Sequence, residues 1–250
     1  MIGIIFAAGI GSRLKPFTDF HPKALAEIGG RPMLVRVAEK LLNAGARKLI
    51  VNIHHFPEQV RECIASQPFS GKVEFSDESE RLLDTGGALV KIARESAAIA
   101  DAAPEEPIVV HNADIYTDFQ LSNMITAHIG SIADATILCD TQRYSSRHFL
   151  FNEEGILCGW ENTASNIIRP DNLSREGLIT AAFGGVHILS HKTLKQIGNY
   201  AHNKIEPFSI TDWYINNCST LIIKSYQPSQ PYNWFDIGTT EKLKIANDNF

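Results

Sequence analysis

The residues best suited to chemistry in this chain stand in a glycine loop near its start. An apolar run, 2–8, leads into Gly9 and Gly11, where the missing side chains let the backbone turn sharply and let a ligand approach its amides. Arg13 and Lys23 add two cations to the same loop. A glycine loop that follows a first strand and carries two cations is typical of polyphosphate sites. A plain strand-to-helix turn with surface charges fits the glycine spacing equally well.

Two well-known phosphate loops do not fit this segment. The dinucleotide fingerprint needs a third glycine three residues after the second, where this chain has Leu14. It also needs an acid at the end of the next strand, but the run 48–53 is followed by His54 and His55. A P-loop needs Gly-Lys followed by Ser or Thr, and no such string occurs in the sequence. The loop is therefore of another kind.

Two acidic residues stand where a cation could be held. Asp114 closes a His-Asn-Ala-Asp string, 111–114, directly after an apolar run that predicts a strand, 107–110. An acid at the carboxyl end of a strand is poorly placed for a core and well placed for a metal. Asp236 lies in a Trp-Phe-Asp-Ile-Gly-Thr string, 234–239, and taken alone would be an N-cap of the next helix at best.

A second pair of glycines, Gly86 and Gly87, follows Thr85 and precedes residues compatible with a helix. Backbone amides at such a junction could face an anion or the edge of a base. A simple turn followed by a helix explains the same residues.

Hydrophobic periodicity predicts alternating strands and helices in the first part of the chain. The predicted strands are 2–8, 48–53 and 72–76, and the predicted helices begin at Pro32 and Pro57. This β-α-β-α-β order predicts an α/β fold, with a doubly wound, mostly parallel mixed sheet and helices on both faces. Ligands of such sheets lie beyond the carboxyl ends of the strands, which is where the glycine loop stands.

The same periodicity predicts further elements in the rest of the chain. They are strands 107–110, 135–139, 180–189 and 221–226, a hairpin within 147–160, helices 120–130, 191–197 and 209–217, and a final helix through 243. Residues 161–178 are rich in Asn, Ser, Arg and Pro and show no period, so we expect a surface loop there.

Composition narrows the class of protein. The chain has 250 residues, of which 44% are hydrophobic and 20% charged, as in ordinary globular proteins. Its net charge of −5 argues against broad nucleic-acid binding. The first apolar run has no basic segment before it, and no stretch approaches the roughly 18 apolar residues of a membrane span. We therefore expect a cytoplasmic protein without membrane or nucleic-acid partners. We also expect a monomer or a weak homo-oligomer.

The glycine loop resembles the signature of sugar-1-phosphate nucleotidyltransferases, also called nucleotide-sugar pyrophosphorylases. The matching residues are Phe6-Ala7-Ala8-Gly9-x-Gly11-Ser12-Arg13-Leu14-x-Pro16-x-Thr18, followed by Pro22-Lys23-x-Leu25. The resemblance implies a Rossmann-like, GT-A-like fold in a single domain, 1–250, with a nucleotide-binding half, 1–140, and a sugar-phosphate half, 141–250. No hexapeptide repeats follow Thr239, so we expect no C-terminal β-helix.

The resemblance also implies a set of site residues. Catalysis would fall to Arg13, Lys23, Asp114 and Asp236, with Mg²⁺ bound by Asp114 and Asp236. The nucleotide would contact Ala7, Ala8, Gly9, Gly11, Ser12, Glu80, Thr85, Gly86 and Asn112. Gly185 would lie against the sugar ring, although a glycine bulge within a strand explains that residue nearly as well. Ala113 departs from the family pattern, which usually has glycine there.

The implied reaction joins a nucleoside triphosphate and a sugar 1-phosphate into a nucleotide-sugar and releases pyrophosphate. The short chain and its motifs most resemble N-acetylmuramate-1-phosphate uridylyltransferases, with a role in cell-wall precursor synthesis. Mannose-1-phosphate guanylyltransferases and choline-phosphate cytidylyltransferases are the alternatives. From another class, a catalytically silent regulatory subunit would keep the fold, but such proteins usually lose the loop cations or a metal-binding aspartate.

Overall fold

The computed structural model describes residues 1–200 and 204–250. Its strands are β1 Ile2–Phe6, β2 Glu27–Ile28, β3 Arg31–Pro32, β4 Lys48–Ile53, β5 Val73–Asp77, β6 Ile108–Asn112, β7 Ile115–Thr117, β8 Ala135–Asp140, β9 Arg147–Phe151, β10 Leu157–Asn162, β11 Ile167–Arg169, β12 Ile179–Leu189, β13 Ile223–Tyr226 and β14 Trp234–Asp236. Its helices are α1 Met33–Asn43, α2 Pro57–Ala65, α3 Asp84–Glu95, α4 Ala97–Ala100, α5 Leu121–Ile129, α6 His191–Tyr200, α7 Ile210–Asn217 and α8 Thr240–Asp248.

A mixed sheet of ten strands runs through the molecule. Eight of its strands follow the order β11-β10-β9-β12-β6-β1-β4-β5, while β8 pairs with β12 and β13 pairs with β8. The core strands β6, β1, β4 and β5 are parallel. The predicted α/β fold, a doubly wound sheet with a parallel core, is therefore confirmed.

The parallel core is buried on both faces. Ile5, Val51 and Val109 belong to one hydrophobic cluster, while Ile4 and Ile50 belong to the other. Because successive side chains of a strand point to opposite faces, a strand covered on both sides has to be apolar throughout. This is why the first strand reads as a continuous apolar run.

Helix α1 shows how the helices cover the sheet. Leu34, Val37, Ala38 and Leu41 repeat at helical spacing, and all four are buried. Gly45 follows the helix with a positive φ of 99°, a conformation that glycine adopts at little cost. The predicted helix after Pro32 is confirmed.

Strand β12 joins the two parts of the sheet. It pairs antiparallel with β6 on one side and with β8 and β9 on the other. Its register against β8 shifts between Phe183 and His187, and Gly185 lies inside this irregularity with a φ of 78°. A Cβ atom at this position would lie 2.6 Å from Cγ1 of Ile115. Gly185 is therefore the glycine of a bulge.

The predicted hairpin is confirmed as β9 and β10, but the prediction of a plain loop over 161–178 is wrong in part. Residues 167–169 form β11, which pairs antiparallel with β10. Only three residues pair there, too few to produce a period in the sequence. The segment is thus attached to the sheet edge.

The bulge can be tested by Gly185→Ala. The substitution places a methyl group against Ile115 and requires a left-handed backbone, so the free energy of unfolding should fall by about 1–3 kcal/mol. Gly71→Ala is the matched control, because Gly71 has no neighbour within 4 Å of its would-be Cβ and no positive φ. The control should be unchanged or more stable by up to about 1 kcal/mol. Equal urea midpoints for the two variants would contradict the strained position.

Candidate active site

A cleft of about 440 Å³ opens where β1, β4 and β6 end. Strand β1 has β4 on one side and β6 on the other, so the chain connections to these two neighbours leave in opposite directions. Ligands of α/β sheets bind at such a point, beyond the carboxyl ends of the strands. Its lining is Phe6, Ala7, Ala8, Gly9, Gly11, Ser12, Arg13, Lys23, Ala24, Asn52, Glu78, Leu82, Asp84, Thr85, Asn112, Ala113, Asp114, Pro207 and Gly238. Most of the residues predicted to bind the nucleotide are therefore brought together.

The two loop glycines have different functions. Gly11 has a φ of 68°, and a Cβ there would lie 2.9 Å from Cβ of Lys23 and 2.9 Å from Cγ2 of Thr18. The Thr18 hydroxyl also donates to the Gly11 carbonyl oxygen over 2.9 Å. Gly9 has no atom within 4 Å of its would-be Cβ. Gly11 thus closes the loop on itself, while Gly9 leaves open space above the cleft.

A buried polar network that the sequence did not reveal holds the start of the loop. Oδ1 of Asn52 accepts hydrogen bonds from the N–H groups of Ala7 and Ala8, over 2.7 and 3.3 Å. Nδ2 of Asn52 donates to Oε1 of Glu78 over 2.8 Å, and Oε2 of Glu78 accepts from the Leu83 N–H over 2.9 Å. The amides of Ala7 and Ala8, predicted to face the nucleotide, are therefore already bonded to the protein.

Burial raises the pKa of Glu78, against the opposing effect of its hydrogen bonds from Asn52 and Leu83. The sequence signal that could have identified Asn52 and Glu78 was weak. Asn52 is a polar residue near the end of the apolar strand β4, and Glu78 is an acid directly after β5. Glu80, the acid predicted to touch the base, is exposed and lies outside the cleft lining. Of these two acids, only Glu78 lines the cleft.

A short antiparallel ladder brings Asp114 and Asp236 together, although they stand 122 positions apart in sequence. Asp236 pairs with Ile115, the residue that follows Asp114. The Ile237 N–H donates to the carbonyl oxygen of Asp114 over 3.0 Å. Strands β7 and β14, which form this ladder, have three residues each and were not predicted.

Each of these aspartates has a lysine of its own. Nζ of Lys23 donates to Oδ2 of Asp114. Nζ of Lys242 donates to Oδ2 of Asp236 over 2.5 Å, and Oδ1 accepts from the Gly238 N–H over 2.7 Å. Burial alone would raise the pKa of Asp236, but the bonds from Lys242 and Gly238 outweigh it and hold that pKa below its usual value. The N-cap of α8 is Thr239, whose hydroxyl accepts from the Lys242 N–H. Asp236 therefore does not cap this helix.

Arg13 completes the charged end of the cleft. A Cβ at Gly238 would lie 3.3 Å from Nη2 of Arg13 and 2.7 Å from Oδ1 of Asp236, so the guanidinium and the carboxylate flank the same glycine. With Lys23 and Lys242, Arg13 places three cations beside the carboxylates of Asp114 and Asp236, and such a group of cations suits a polyanionic ligand. Two further acids, Glu78 and Asp84, also line the cleft.

Two other predicted contacts are used in packing. The Gly86 N–H donates to the carbonyl oxygen of Phe208 over 2.8 Å, and the Phe208 ring covers the place of a Gly86 side chain. Thr85 does line the cleft, but its hydroxyl oxygen accepts from the Ile210 N–H over 2.9 Å. Gly86 and the buried Gly185 lie outside the cleft lining.

The carboxylates suit magnesium by their chemistry. Within residues 1–200 and 204–250, no three His, Cys, Asp or Glu side chains come together as metal ligands would. Magnesium commonly needs only one or two carboxylates, with substrate phosphates and water completing its shell. Asp114 in the lining of the cleft and Asp236 beside it fit that pattern.

The chain is similar to several known proteins. Residues 2–148 match the family described as nucleotidyl transferase. A mannose-1-phosphate guanyltransferase of Gibberella zeae is 34% identical over 140 residues, which are 55% of this chain and 37% of that protein. An N-acetylmuramate alpha-1-phosphate uridylyltransferase of Caulobacter vibrioides is 27% identical over 195 residues, which are 75% of this chain and 74% of that protein.

The structure of HddC from Yersinia pseudotuberculosis complexed with GMP-PN resembles the whole fold. Its TM-score is 0.72 at 23% identity, with 100% of this chain and 99% of that chain covered. This likeness concerns the fold alone. The chain spans about half or less of the length of the guanyltransferases that it matches. No helix among the described residues is long and apolar enough to cross a bilayer.

The buried network can be tested by Glu78→Gln. The new amide nitrogen would face either Nδ2 of Asn52 or the Leu83 N–H, so one donor would lose its acceptor. The free energy of unfolding should fall by about 1–3 kcal/mol, measured by denaturant titration. Glu80→Gln, two residues away and exposed, is the control and should change it by less than about 0.5 kcal/mol. A Glu78→Gln protein as stable as the control would show that the network does not hold the loop.

Proposed function

The chain belongs to the nucleotidyl transferase family, and we propose that it transfers a nucleotidyl group from a nucleoside triphosphate to a sugar 1-phosphate. The products are a nucleotide-sugar and pyrophosphate. The observation that carries the proposal is that Lys23, Arg13 and Asp114 line one cleft together with the glycine loop. Asp236 lies just outside that lining, where it pairs with Ile115, the residue after Asp114.

The main obstacle to this reaction is electrostatic. A phosphate oxygen of the sugar 1-phosphate attacks the α-phosphorus of the triphosphate, and the bond from that phosphorus to the pyrophosphate oxygen breaks. Both partners are anions, so positioning and charge neutralisation supply most of the catalysis. The sugar phosphate is itself the nucleophile, and the reaction needs no serine or cysteine nucleophile.

The cations of the cleft have separate tasks in this proposal. Lys23, which pairs with Asp114 in the free protein, offsets charge near the α-phosphate. Arg13 holds the departing pyrophosphate with its planar set of donors. Asp114 and Asp236 would hold Mg²⁺, which supplies further charge neutralisation when bound.

The nucleotide half, 1–140, supplies nearly the whole lining of the cleft, and we assign the sugar half to 141–250. A cavity of about 350 Å³ in the second half is lined by Phe149, Trp160 and Phe183 with several polar residues. Phe183 and Phe6, which line the two cavities, both pack against the ring of His187, at 5.9 and 6.4 Å. The neighbouring cavity supports a sugar subsite beside the cleft. Gly185 contributes to it by shaping the β12 bulge.

For the finer substrate we favour a uridylyl transfer to an N-acetylmuramate-type sugar 1-phosphate. The support is the resemblance of its motifs to these enzymes and the 27% identity to the Caulobacter uridylyltransferase over 75% of this chain. Guanylyl transfer to mannose 1-phosphate is the second candidate, because those guanyltransferases include the most identical of the relatives described. A silent regulatory subunit is disfavoured, since the cleft keeps all its charged residues.

A substrate panel tests the proposal. Pyrophosphate release should appear when one of UTP, GTP, CTP or dTTP is combined with one of a set of sugar 1-phosphates, and it should require magnesium. UTP with N-acetylmuramate 1-phosphate should give the highest kcat/KM. A folded protein that releases no pyrophosphate with any pair, at saturating magnesium, would contradict the proposed function.

The two aspartates are tested by Asp114→Asn and Asp236→Asn. Each change keeps the shape and removes one charge, so kcat should fall by roughly a hundredfold or more. The double variant should be hardly slower than either single one, because groups that act as a unit are not additive. Asp101→Asn, on an exposed residue away from the cleft, is the control. Near wild-type turnover for either single variant would remove that aspartate from the site.

A further inference from the structure

The cavity in the second half of the chain is built on one face of the sheet. In the antiparallel pairing of β9 with β10, Phe149 lies opposite Trp160 and Arg147 lies opposite Asn162. Since side chains two residues apart on a strand point to the same face, these four side chains form one surface. Phe183 of β12 also lines the cavity. The cavity therefore has an aromatic floor, with a polar pair, Arg147 and Asn162, beside it.

This cavity adjoins the nucleotide cleft along the segment that leads into α7. Pro207 lines the cleft, whereas Ser209 lines the cavity. The N–H of the next residue, Ile210, donates over 2.9 Å to the hydroxyl oxygen of Thr85, which lines the cleft. A sugar joined to a phosphate in the cleft therefore has room in the neighbouring cavity.

Arg147 brings a positive charge to the cavity that nothing in the described parts of the chain neutralises. The residue is exposed, and its guanidinium takes part in no hydrogen bond or ion pair there. Among the described lining residues the one carboxylate is that of Asp212, and it pairs with Arg169 over 2.5 Å. Two guanidinium groups thus stand against one carboxylate, and the charge of Arg147 is left for a ligand.

Two further lining residues keep hydrogen-bonding groups available to a ligand. Oδ1 of Asn162 accepts from the Ala164 N–H over 3.1 Å, which leaves the amide nitrogen of Asn162 as a donor. The hydroxyl of Thr211 has no partner among the described residues. Ligand sites commonly combine an aromatic lining with a few polar groups. This arrangement suits a hydroxylated ring that carries an anionic substituent.

We propose that Arg147 selects a sugar 1-phosphate with a carboxylate on its ring, by binding that carboxylate. This inference rests on the proposed function and assigns the specificity of its sugar subsite. The planar guanidinium donates two parallel N–H bonds to the carboxylate, while the ring lies over the aromatic floor. N-acetylmuramate 1-phosphate carries such a carboxylate on its lactyl ether, and N-acetylglucosamine 1-phosphate is the same molecule without that ether.

The 1-phosphate of the sugar is bound elsewhere in this proposal. It has to reach the α-phosphorus beside Lys23 and Asp114, near the end of β6. Strand β12 separates β6 from β9, which carries Arg147. Because neighbouring strands lie about 4.8 Å apart, β9 lies roughly 10 Å from β6. Arg147 therefore faces the side of the sugar that is remote from the reacting phosphate.

The test compares N-acetylmuramate 1-phosphate with N-acetylglucosamine 1-phosphate, using the nucleoside triphosphate that gives the faster pyrophosphate release. The measured quantity is the discrimination ratio, kcat/KM for the acidic sugar divided by kcat/KM for the neutral one. Arg147→Gln removes the charge, and Arg147→Glu reverses it. Lys192→Gln, on an exposed residue outside the cleft and the cavity, is the charge control.

The wild type and Lys192→Gln should both favour the acidic sugar by at least about tenfold, since hydrogen bonds between charged groups are the stronger ones. Arg147→Gln should remove most of this preference. Arg147→Glu should lower the ratio further, because like charges repel. Isothermal titration calorimetry of the two sugar phosphates with magnesium should give Kd ratios in the same order, and it needs no turnover.

The proposal is overturned if the wild type does not prefer the acidic sugar, or if Lys192→Gln lowers the ratio as much as Arg147→Gln does. It is also overturned if Arg147→Gln slows both substrates by the same factor, which would place the guanidinium on the shared 1-phosphate, or if Arg147→Glu matches Arg147→Gln. Pyrophosphate is still released in all of these cases, so they differ from a failure of the proposed function. In a protein without turnover, equal Kd values for the two sugars would overturn the assignment of Arg147.

Discussion

The cleft depends on one buried side-chain amide, that of Asn52. Its oxygen bonds the two N–H groups at the start of the glycine loop, and its nitrogen bonds Glu78. Three segments distant in sequence are thereby fixed to one another: the loop after β1, the end of β4 and the turn before α3. Replacing the amide by an apolar group would leave buried donors unpaired, which is more costly than the loss of the bonds themselves.

Charge is balanced locally at the other end of the cleft. Asp114 and Asp236 would repel each other if left alone, but each is paired with its own lysine, Lys23 or Lys242. The free protein therefore tolerates two neighbouring acids without a metal. In the proposed reaction, Lys23 would exchange its carboxylate partner for a phosphate of the substrate, so that little net charge would have to be desolvated.

Strong local patterns made much of this structure predictable. The buried strand β1, the amphipathic α1 and the hairpin β9–β10 follow from apolar runs and hydrophobic periods. These patterns predict the element whatever other element packs against it. The ladder of β7 and β14 could not be predicted in this way, because three-residue strands have no period and pair only through the global fold. The network of Glu78 and Asn52 could not be predicted for a similar reason, because its hydrogen bonds join segments that the sequence does not mark as neighbours. For Gly86 the sequence predicted a ligand contact, whereas in the structure the Phe208 ring packs where a Gly86 side chain would lie.

The position of β12 has a consequence for synthesis of the chain. The parallel core is complete by residue 112, yet the edge of β6 is covered only by residues 186–189 of β12. While the ribosome makes the intervening seventy or so residues, roughly 4–15 s at ordinary elongation rates, a nascent sheet exposes an unpaired strand edge. Such an edge is a template for pairing with another chain. The emerging polypeptide thus carries this additional open edge until β12 leaves the exit tunnel, and a chaperone that covers the edge in that interval would protect it from aggregation.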